Sequence, residues 1–304
     1  MSLAPRAVLV HRTTEYEELL ARHGTHGQAE FFLSSRGRCI EEVAERHHRT
    51  RQALAQVAAA VPLSWRHTRV ERADLDRFLF APEDVVVVVG QDGLVANTAK
   101  YLCGQPVVGI DTDPGRNPGA LVRHAARNAD GLLRAAVTAD PTVEELTMVE
   151  AVADDTQRLV ALNEIYLGRP GHQTSRYRLC PDEEPGPGGP RGGEAQASSG
   201  VLVGTGTGAT GWLRSLWRER GCREPLPAPD EARLLWYVRE AWPSPATGTS
   251  LVDGVLTGSE RLRVTVESDR LVAFGDGMES DALELTWGQT VRLGVCGTSL
   301  RLLC

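Results

Sequence analysis

Apolar and polar positions follow two different patterns along the chain, and the change falls near residue 140. In the first part, the segments AVLVH (7–11), DVVVVV (84–89) and PVVGI (106–110) are short and almost entirely apolar. Runs of this kind are typical of parallel strands that are buried on both faces. We therefore expect each of the three segments to be a strand of a parallel sheet.

Helical patterns separate these predicted strands. Residues 14–21 carry acidic side chains in what would be the first turn, and residues 39–60 space their apolar side chains along one face. Residues 94–103 also suit a helix. Strand, helix and strand joined by short connections form a βαβ unit. The pattern predicts an α/β domain with a parallel sheet over residues 1–140.

The second part, residues 141–304, predicts a β-rich domain. Turn signals such as Asp253-Gly254 and Asp276-Gly277 separate short apolar stretches. Residues 181–200 are rich in Pro, Gly and acidic residues, which indicates a mobile loop between strands. The predicted strands cover residues 159–167, 175–180, 201–205, 251–257, 260–267, 270–275 and 291–296.

Composition and charge narrow the possible partners. The 304 residues include 33 basic and 40 acidic ones, a net charge of −7, which argues against nucleic acid as the main partner. No apolar run is long enough to span a membrane, and the first residues do not resemble a signal peptide. The six cysteines are widely scattered and predict reduced thiols in a cytoplasmic protein.

The chain contains a single lysine, Lys100, and this excludes two classes of phosphate-binding site. Lys100 stands between Ala99 and Tyr101, so the sequence has no Walker A loop, which needs Gly-Lys followed by Ser or Thr. It also lacks the strand lysine of protein kinases. Any phosphate chemistry must therefore depend on other groups.

The segment Gly90-Gln91-Asp92-Gly93 is the first candidate site, because it follows the DVVVVV strand and precedes a helix. Open α/β sheets bind ligands at the carboxyl ends of their strands, and a helix N-terminus favours phosphate. Asp92 could act as a base toward a hydroxyl or help to hold a magnesium nucleotide. The alternative is an ordinary Asp-Gly turn.

Two further candidates lie in the β-rich half. Residues 206–211 fit the pattern GxGxxG, but no second parallel strand follows, so a phosphate loop using Thr hydroxyls and backbone N–H groups fits better than a dinucleotide fingerprint. A structural turn is the alternative. The pair Asn163-Glu164 lies inside an apolar strand, where both side chains need partners, and could bind the edge of a base or a ribose.

Taken together and in this order, five segments resemble the NAD kinase family, with the mitochondrial-type branch as the nearest match. The likeness runs from residue 85 almost to the end, and the stretches 112–116 (TDPGR) and 198–200 (SSG) point to that branch. The matching segments are GQDG (90–93), GIDTDP (109–114), ALNEIYLG (161–168), SSGVLVGTGTGATGW (198–212) and AFGDG (273–277).

The resemblance implies a fold and an activity. The fold is the NAD kinase/diacylglycerol kinase-like one, with a Rossmann-like N-terminal domain and a β-sandwich-like C-terminal domain whose last strand can pack back on the first domain. The activity is the ATP- and Mg²⁺-dependent phosphorylation of the adenosine-ribose 2′-hydroxyl of NAD, which gives NADP. Small nucleotides would be the partners, and a homodimer or larger homo-oligomer the assembly.

The resemblance also implies roles for individual residues. Asp92 would engage the acceptor ribose as the catalytic base, and Trp212 would lie near the acceptor adenine. Mg²⁺ would arrive with the nucleotide, so no protein metal ligand is expected. The implied nucleotide- and substrate-binding residues are Gly90, Gln91, Gly93, Asp113, Arg116, Asn163, Glu164, Thr205, Gly206, Thr207, Gly208, Thr210, Trp212 and Asp276.

Four positions depart from the family pattern, and they leave the acceptor open. Gln91 replaces a glycine, Leu94 a threonine, Asp111 an asparagine and Ala209 a serine. One alternative is a kinase of the same fold that phosphorylates a nucleoside or sugar, and another is a dinucleotide-binding protein without catalysis. The donor (ATP or polyphosphate) and any gating by residues 181–200 are open as well.

Overall fold

A computed structural model of the chain describes residues 4–116, 119–181 and 193–304. It divides into two compact units. Unit 1 comprises residues 1–144 together with 301–304, and unit 2 comprises residues 145–300.

The helices and strands have the following bounds. The helices are α1 (Glu15–His23), α2 (His26–Ser34), α3 (Ile40–Ala60), α4 (Asp92–Ala99), α5 (Ala129–Ala136) and α6 (Trp212–Glu219). The strands are β1 (Arg6–His11), β2 (Arg66–Glu71), β3 (Asp84–Gly90), β4 (Pro106–Asp111), β5 (Val143–Leu146), β6 (Val149–Ala153), β7 (Arg158–Ala161), β8 (Glu164–Gly168), β9 (Ser175–Pro181), β10 (Glu194–Ser198), β11 (Gly200–Gly204), β12 (Arg233–Arg239), β13 (Asp253–Thr257), β14 (Arg261–Val266), β15 (Arg270–Gly275), β16 (Met278–Thr286), β17 (Thr290–Val295) and β18 (Leu300–Leu303).

Unit 1 is an α/β unit built on one sheet in the order β2-β1-β3-β4-β18-β5. The neighbouring pairs from β2 through β18 are parallel. Residues 85–89 of β3 are all buried, as expected for a central strand covered on both faces. The predicted N-terminal parallel-sheet α/β region is confirmed.

The order of strands in unit 1 reverses between β1 and β3. The chain passes from β1 outward to β2 on one side and then continues on the other side with β3 and β4. In open parallel sheets, such a reversal leaves a crevice outside the carboxyl ends of the two strands, where ligands bind. Gly90 lies at the carboxyl end of β3, and the candidate segment 90–93 therefore begins at this crevice.

A buried ion pair joins the amino-terminal ends of β1 and β3. Arg6 lies opposite Asp84 in the register, and its Nε and Nη2 donate to the two carboxylate oxygens at 2.7 and 2.6 Å. Asp84 is only 1% exposed. The hydrogen bond to Asp84 raises the pKa of the Arg6 guanidinium.

The predicted helices of unit 1 are present with altered ends. Helix α1 begins after Thr14, whose side chain and that of Glu17 form a capping box. The prediction of a helix over residues 94–103 is wrong at both ends, since α4 begins at Asp92 and ends at Ala99. The first turn of this helix therefore includes part of the GQDG segment.

Unit 2 is antiparallel and all-β apart from α6. Its sheets have the orders β10-β9-β14-β17-β6-β7 and β13-β12-β11-β8-β15-β16. Alternate residues of both sheets enter one apolar core, which includes Tyr177, Val264, Leu293, Val203 and Leu285. The predicted C-terminal β-rich region is confirmed at this level of description.

Two predictions in unit 2 are wrong. Residues 159–167 form two strands, β7 and β8, that are interrupted at Leu162 and Asn163. Part of the predicted loop 181–200 is also structured, because residues 194–198 form β10 against β9. The strand was hidden because its inward residues, Glu194, Gln196 and Ser198, are polar and hydrogen-bonded. Residues 182–192 of that loop lie outside the described residues.

Candidate functional site

In unit 1, the candidate site is formed by the transition from β3 to α4. Gln91 is the N-cap residue, with φ −123° and ψ 165°. This extended conformation accommodates a side chain, so the replacement of a glycine at this position causes no backbone strain. The Gln91 and Gly93 positions are both exposed, and a Cβ at Gly93 would meet nothing within 4 Å.

The carboxylate of Asp92 is held by three backbone N–H groups of the segment that follows β4. Oδ1 accepts from Leu121 and Val122, and Oδ2 accepts from Ala120, each at 2.9 Å. A carboxylate has about four acceptor positions, so one position on Oδ2 remains for a further donor. The contacts fix the orientation of Asp92.

The loop after β4 contains two linked carboxylates. Asp111 Oδ1 accepts the N–H of Asp113 at 2.8 Å, which shapes the turn. Asp113 is buried and forms an ion pair with Arg49 of α3 at 2.9 Å. Its other oxygen lies 3.9 Å from Nε of Arg116, too far for a hydrogen bond, and the Arg116 side chain is largely exposed.

In unit 2, Thr205 fastens the glycine-rich loop to the interruption between β7 and β8. Its hydroxyl donates to the carbonyl of Leu162 at 2.6 Å, and its N–H donates to the carbonyl of Asn163 at 2.9 Å. The same hydroxyl accepts the N–H groups of Thr207 at 3.1 Å and Gly208 at 3.3 Å. The loop and the Asn163-Glu164 pair are thus one structural assembly.

The glycines of this loop are required by close contacts with other backbone. A Cβ at Gly206 would overlap the carbonyl of Ala228, and a Cβ at Gly208 would overlap that of Asn163. The N–H groups of residues 209–211 donate to carbonyls within the loop. Thr210 is exposed, whereas the buried Thr207 hydroxyl has no hydrogen-bond partner.

Asp276 closes the same interruption from a hairpin turn. Asp276 and Gly277 have φ values of +53° and +68°, as in a type I′ turn between β15 and β16. The carboxylate of Asp276 accepts the N–H of Asn163 at 2.7 Å and the N–H of Leu162 at 2.8 Å. The Asp-Gly turn therefore caps the backbone groups that the strand break would otherwise leave unpaired.

Glu164 lies beside this negative charge and is protonated at neutral pH. Burial, together with the nearby charge of Asp276, raises the pKa of its carboxyl to about 8. A protonated carboxyl can donate one hydrogen bond and accept others. Glu164 can therefore bind a group that presents an acceptor, such as a base nitrogen or a ribose oxygen.

Aromatic rings complete this part of unit 2. The rings of Trp212 and Tyr166 stack with centroids 5.5 Å apart, and the guanidinium of Arg239 lies 5.3 Å from the Trp212 centroid. Tyr166 also donates to the carbonyl of Ser199 at 2.6 Å. The half-buried Trp212 ring is thus already stacked on one side, and it lies at the start of α6 directly after the glycine-rich loop.

The structure places the predicted residues in two groups, one in each unit. In unit 2, Asn163, Glu164, Asp276 and the 205–208 segment are in direct contact. In unit 1, residues 90–93 are connected to 120–122 through Asp92. Sequence reasoning missed Tyr166, although it lies two residues after Glu164 and so projects from the same face of β8. It also missed Arg49 and the amides of 120–122, which no local pattern marks.

Comparisons with known proteins give no assignment: no protein-family model matches the chain, and no curated protein matches it. Within the described residues, no helix is both long and apolar enough to cross a membrane.

Proposed function

We propose that the chain is an NAD kinase-like phosphotransferase that transfers the γ-phosphoryl group of ATP to the 2′-hydroxyl of the adenosine ribose of NAD. The acceptor oxygen forms the new bond to phosphorus, the bond to the β-phosphate oxygen breaks, and the hydroxyl loses its proton. NADP and ADP are the products. The proposal rests on the family resemblance and includes the homo-oligomeric assembly that the resemblance implies.

One observation supports this proposal most strongly. Three segments that the resemblance singled out, around residues 163, 205 and 276, are more than 40 residues apart in the chain, yet those around 205 and 276 both hydrogen-bond directly to Leu162 and Asn163. Glu164, with its raised pKa, belongs to this group, and Tyr166, two residues further along β8, stacks on Trp212. The group therefore combines hydrogen-bonding and stacking surfaces, which are what an adenosine moiety needs.

In this proposal, Asp92 receives the hydrogen bond of the acceptor hydroxyl. The three backbone N–H groups hold its carboxylate in place, so little reorganisation is needed when the substrate binds. The remaining position on Oδ2 accepts from the hydroxyl and orients it for attack. Phosphoryl transfer depends mainly on such positioning and on charge stabilisation.

Mg²⁺ would neutralise the negative charge of the phosphates. The ion is usually held by one or two carboxylates together with substrate phosphates and water. The described residues contain no group of three or more His, Cys, Asp or Glu that could hold a metal. Arg116 is the candidate side chain for a phosphate contact.

The test is the identification of the phosphorylated product from a panel of acceptors. Purified protein is incubated with Mg²⁺ and either ATP or polyphosphate, against NAD, NADH, nucleosides and sugars. We expect NADP from NAD, with at least about a hundredfold loss of turnover in Asp92→Asn. Asp130→Asn, which alters an exposed ion pair of α5, is the matched control and should keep full activity.

Removal of one Asp92 oxygen also weakens the anchoring of residues 120–122, so folding is checked separately by thermal unfolding. A product other than NADP would identify the alternative acceptor. Full turnover by a folded Asp92→Asn protein would refute the role of this residue.

A second candidate function is dinucleotide binding without catalysis. The engagement of Asp92 by three N–H groups favours it, because a carboxylate used as a structural anchor need not take part in a reaction. Tight NAD binding without ATP consumption in the same panel would support this alternative, and measured turnover would exclude it.

A further inference from the structure

The outward face of the sheet that contains β9, β14 and β17 carries a cavity lined by arginines. Inward residues of these strands are buried apolar side chains, and the alternate residues face outward. The cavity has a volume of about 340 Å³ and is lined by Arg178, Arg263, Arg292, Cys180, Thr265 and Thr290, with Asp154 beside them. We call it the arginine cavity.

The register of the strands places two of these cations next to each other. Arg263 lies directly opposite Arg292 across the β14–β17 pair, and Thr265 lies opposite Thr290 in the same pair. Like charges in directly opposite positions destabilise a sheet. The arrangement stands out because the chain as a whole is acidic, with a net charge of −7.

Two of the three guanidinium groups have no acidic partner among the described residues. Arg178 forms an ion pair with Glu267 at 3.2 Å. Arg263 instead donates from Nη2 to the sulfur of Cys180 at 3.3 Å. Arg292 is exposed and forms neither an ion pair nor a side-chain hydrogen bond within the described part of the chain. Among the described residues, the cavity therefore holds positive charge that no ion pair compensates.

We propose that the arginine cavity binds the phosphate group of a small ligand, at a site separate from the residues assigned to the proposed reaction. A guanidinium fork matches the geometry of a phosphate, and two forks at adjacent positions can hold one dianion between them. The volume is at the lower end of the range for small-molecule pockets.

Asp154 and the threonines indicate which chemical groups the rest of such a ligand carries. Asp154 Oδ2 accepts the N–H of Thr290 at 3.0 Å, which leaves Oδ1 for a donor from the ligand. A carboxylate beside the arginines disfavours a second phosphate and favours a hydroxyl. The phosphate can come from free inorganic phosphate or from a phosphomonoester that carries hydroxyl groups, and the experiment separates these sources.

The experiment compares the intact protein with Arg263→Gln/Arg292→Gln. The matched control, Arg223→Gln, removes one charge from an exposed residue of unit 2 outside the cavity. Inorganic phosphate and ribose 5-phosphate are titrated calorimetrically, with sodium chloride added to keep the ionic strength constant. Alkylation of Cys180, followed by peptide mass spectrometry, reports on the cavity directly because its sulfur contacts Arg263.

We expect saturable binding by the intact protein and by Arg223→Gln, with at least about tenfold weaker binding by the double variant. Bound probe should also slow Cys180 alkylation. Tighter binding of ribose 5-phosphate than of phosphate, lost in Asp154→Asn, would identify a phosphomonoester, whereas equal binding would identify the phosphate group alone.

We expect the double variant to fold, because it removes the repulsion between the two neighbouring arginines. Its unliganded melting temperature should equal or exceed that of the intact protein. Equal binding by the double variant, absence of saturable binding by the intact protein, or exclusive binding of an acidic polypeptide such as polyglutamate would overturn the proposal. None of these outcomes depends on whether NADP is formed, because binding at any other phosphate site contributes equally to both proteins.

Discussion

At the scale of single residues, Glu164 makes the stability of the folded protein depend on pH. Its pKa of about 8 in the folded protein lies above its ordinary value of 4.5 because burial and Asp276 disfavour the charged form. The folded state thus binds a proton that the unfolded state loses, and stability falls as the pH rises from about 4.5 to about 8. Below this window the group contributes no pH dependence.

We predict that Glu164→Gln removes this part of the pH dependence and is more stable than the original protein at pH 9, by roughly 2–4 kcal/mol. Urea unfolding at pH 5, 7 and 9 measures the difference. Glu279→Gln, at an exposed position of β16, is the control and should leave the profile unchanged. A constant difference between Glu164→Gln and the original protein at all three pH values would contradict the prediction.

The buried pair of Arg6 and Asp84 should be costly to break. Arg6→Met leaves the carboxyl group of Asp84, which is 1% exposed, without its cationic partner, and we expect a loss of about 3–5 kcal/mol in the free energy of unfolding. Arg66→Met is the matched control: Arg66 is the parallel neighbour of Arg6, but its contact with Glu83 at 3.3 Å is exposed and worth at most about 1 kcal/mol. Urea unfolding at pH 7 distinguishes the two, and equal losses would contradict the argument.

At the scale of elements, the glycine-rich loop depends on close approach to other backbone. We predict that Gly206→Ala and Gly208→Ala each lower the free energy of unfolding by about 1–3 kcal/mol, because the added Cβ overlaps a carbonyl that belongs to a fixed segment. Gly131→Ala, in α5 with open space around it, should be neutral or slightly stabilising. Thermal unfolding tests all three, and unchanged melting temperatures for the loop variants would show that the loop can move aside.

The elements that could be predicted from the sequence are those in which the buried residues are apolar. The valines of β3 are apolar and buried, so their run was sufficient evidence for a central strand. Strand β10 could not be found in this way because its inward residues are polar and depend on distant hydrogen bonds such as that between Tyr177 and Ser198. The break between β7 and β8 was missed for a related reason, since it exists only because Asp276 caps it.

The candidate site also combines features that the sequence predicts with features that depend on distant contacts. Local patterns marked Asp92, the loop at 205–208, the Asn163-Glu164 pair and the Asp276-Gly277 turn, and the resemblance supplied their roles in one site. The contacts that explain their geometry join residues 28 to 30 positions apart for Asp92 and more than 40 positions apart for Thr205 and Asp276, and no local periodicity records such separations. The protonation of Glu164 likewise follows from burial and from a neighbouring charge that only the folded chain brings together.

At the scale of the whole molecule, unit 1 contains residues from both ends of the described chain. Leu303 of β18 is 2% exposed and belongs to the same core as Leu9 and Val87. We predict that Leu303→Ala costs about 2–5 kcal/mol, confined to unit 1. Hydrogen exchange should show faster exchange in β4 and unchanged protection in β11. A uniform loss across both units would indicate that they unfold together.

The position of β18 between β4 and β5 has a consequence for the protein during its synthesis. Val107 pairs with Leu302, so the ribosome must add almost 200 residues after β4 before that strand acquires its second neighbour. All of unit 2 is translated in the interval and can complete its sheets first. The carboxyl end of β4 already pairs with His124. Until residue 303 emerges, however, the amino-terminal part of the nascent β4 offers an unpaired edge that other chains could join, and this favours protection by a chaperone during translation.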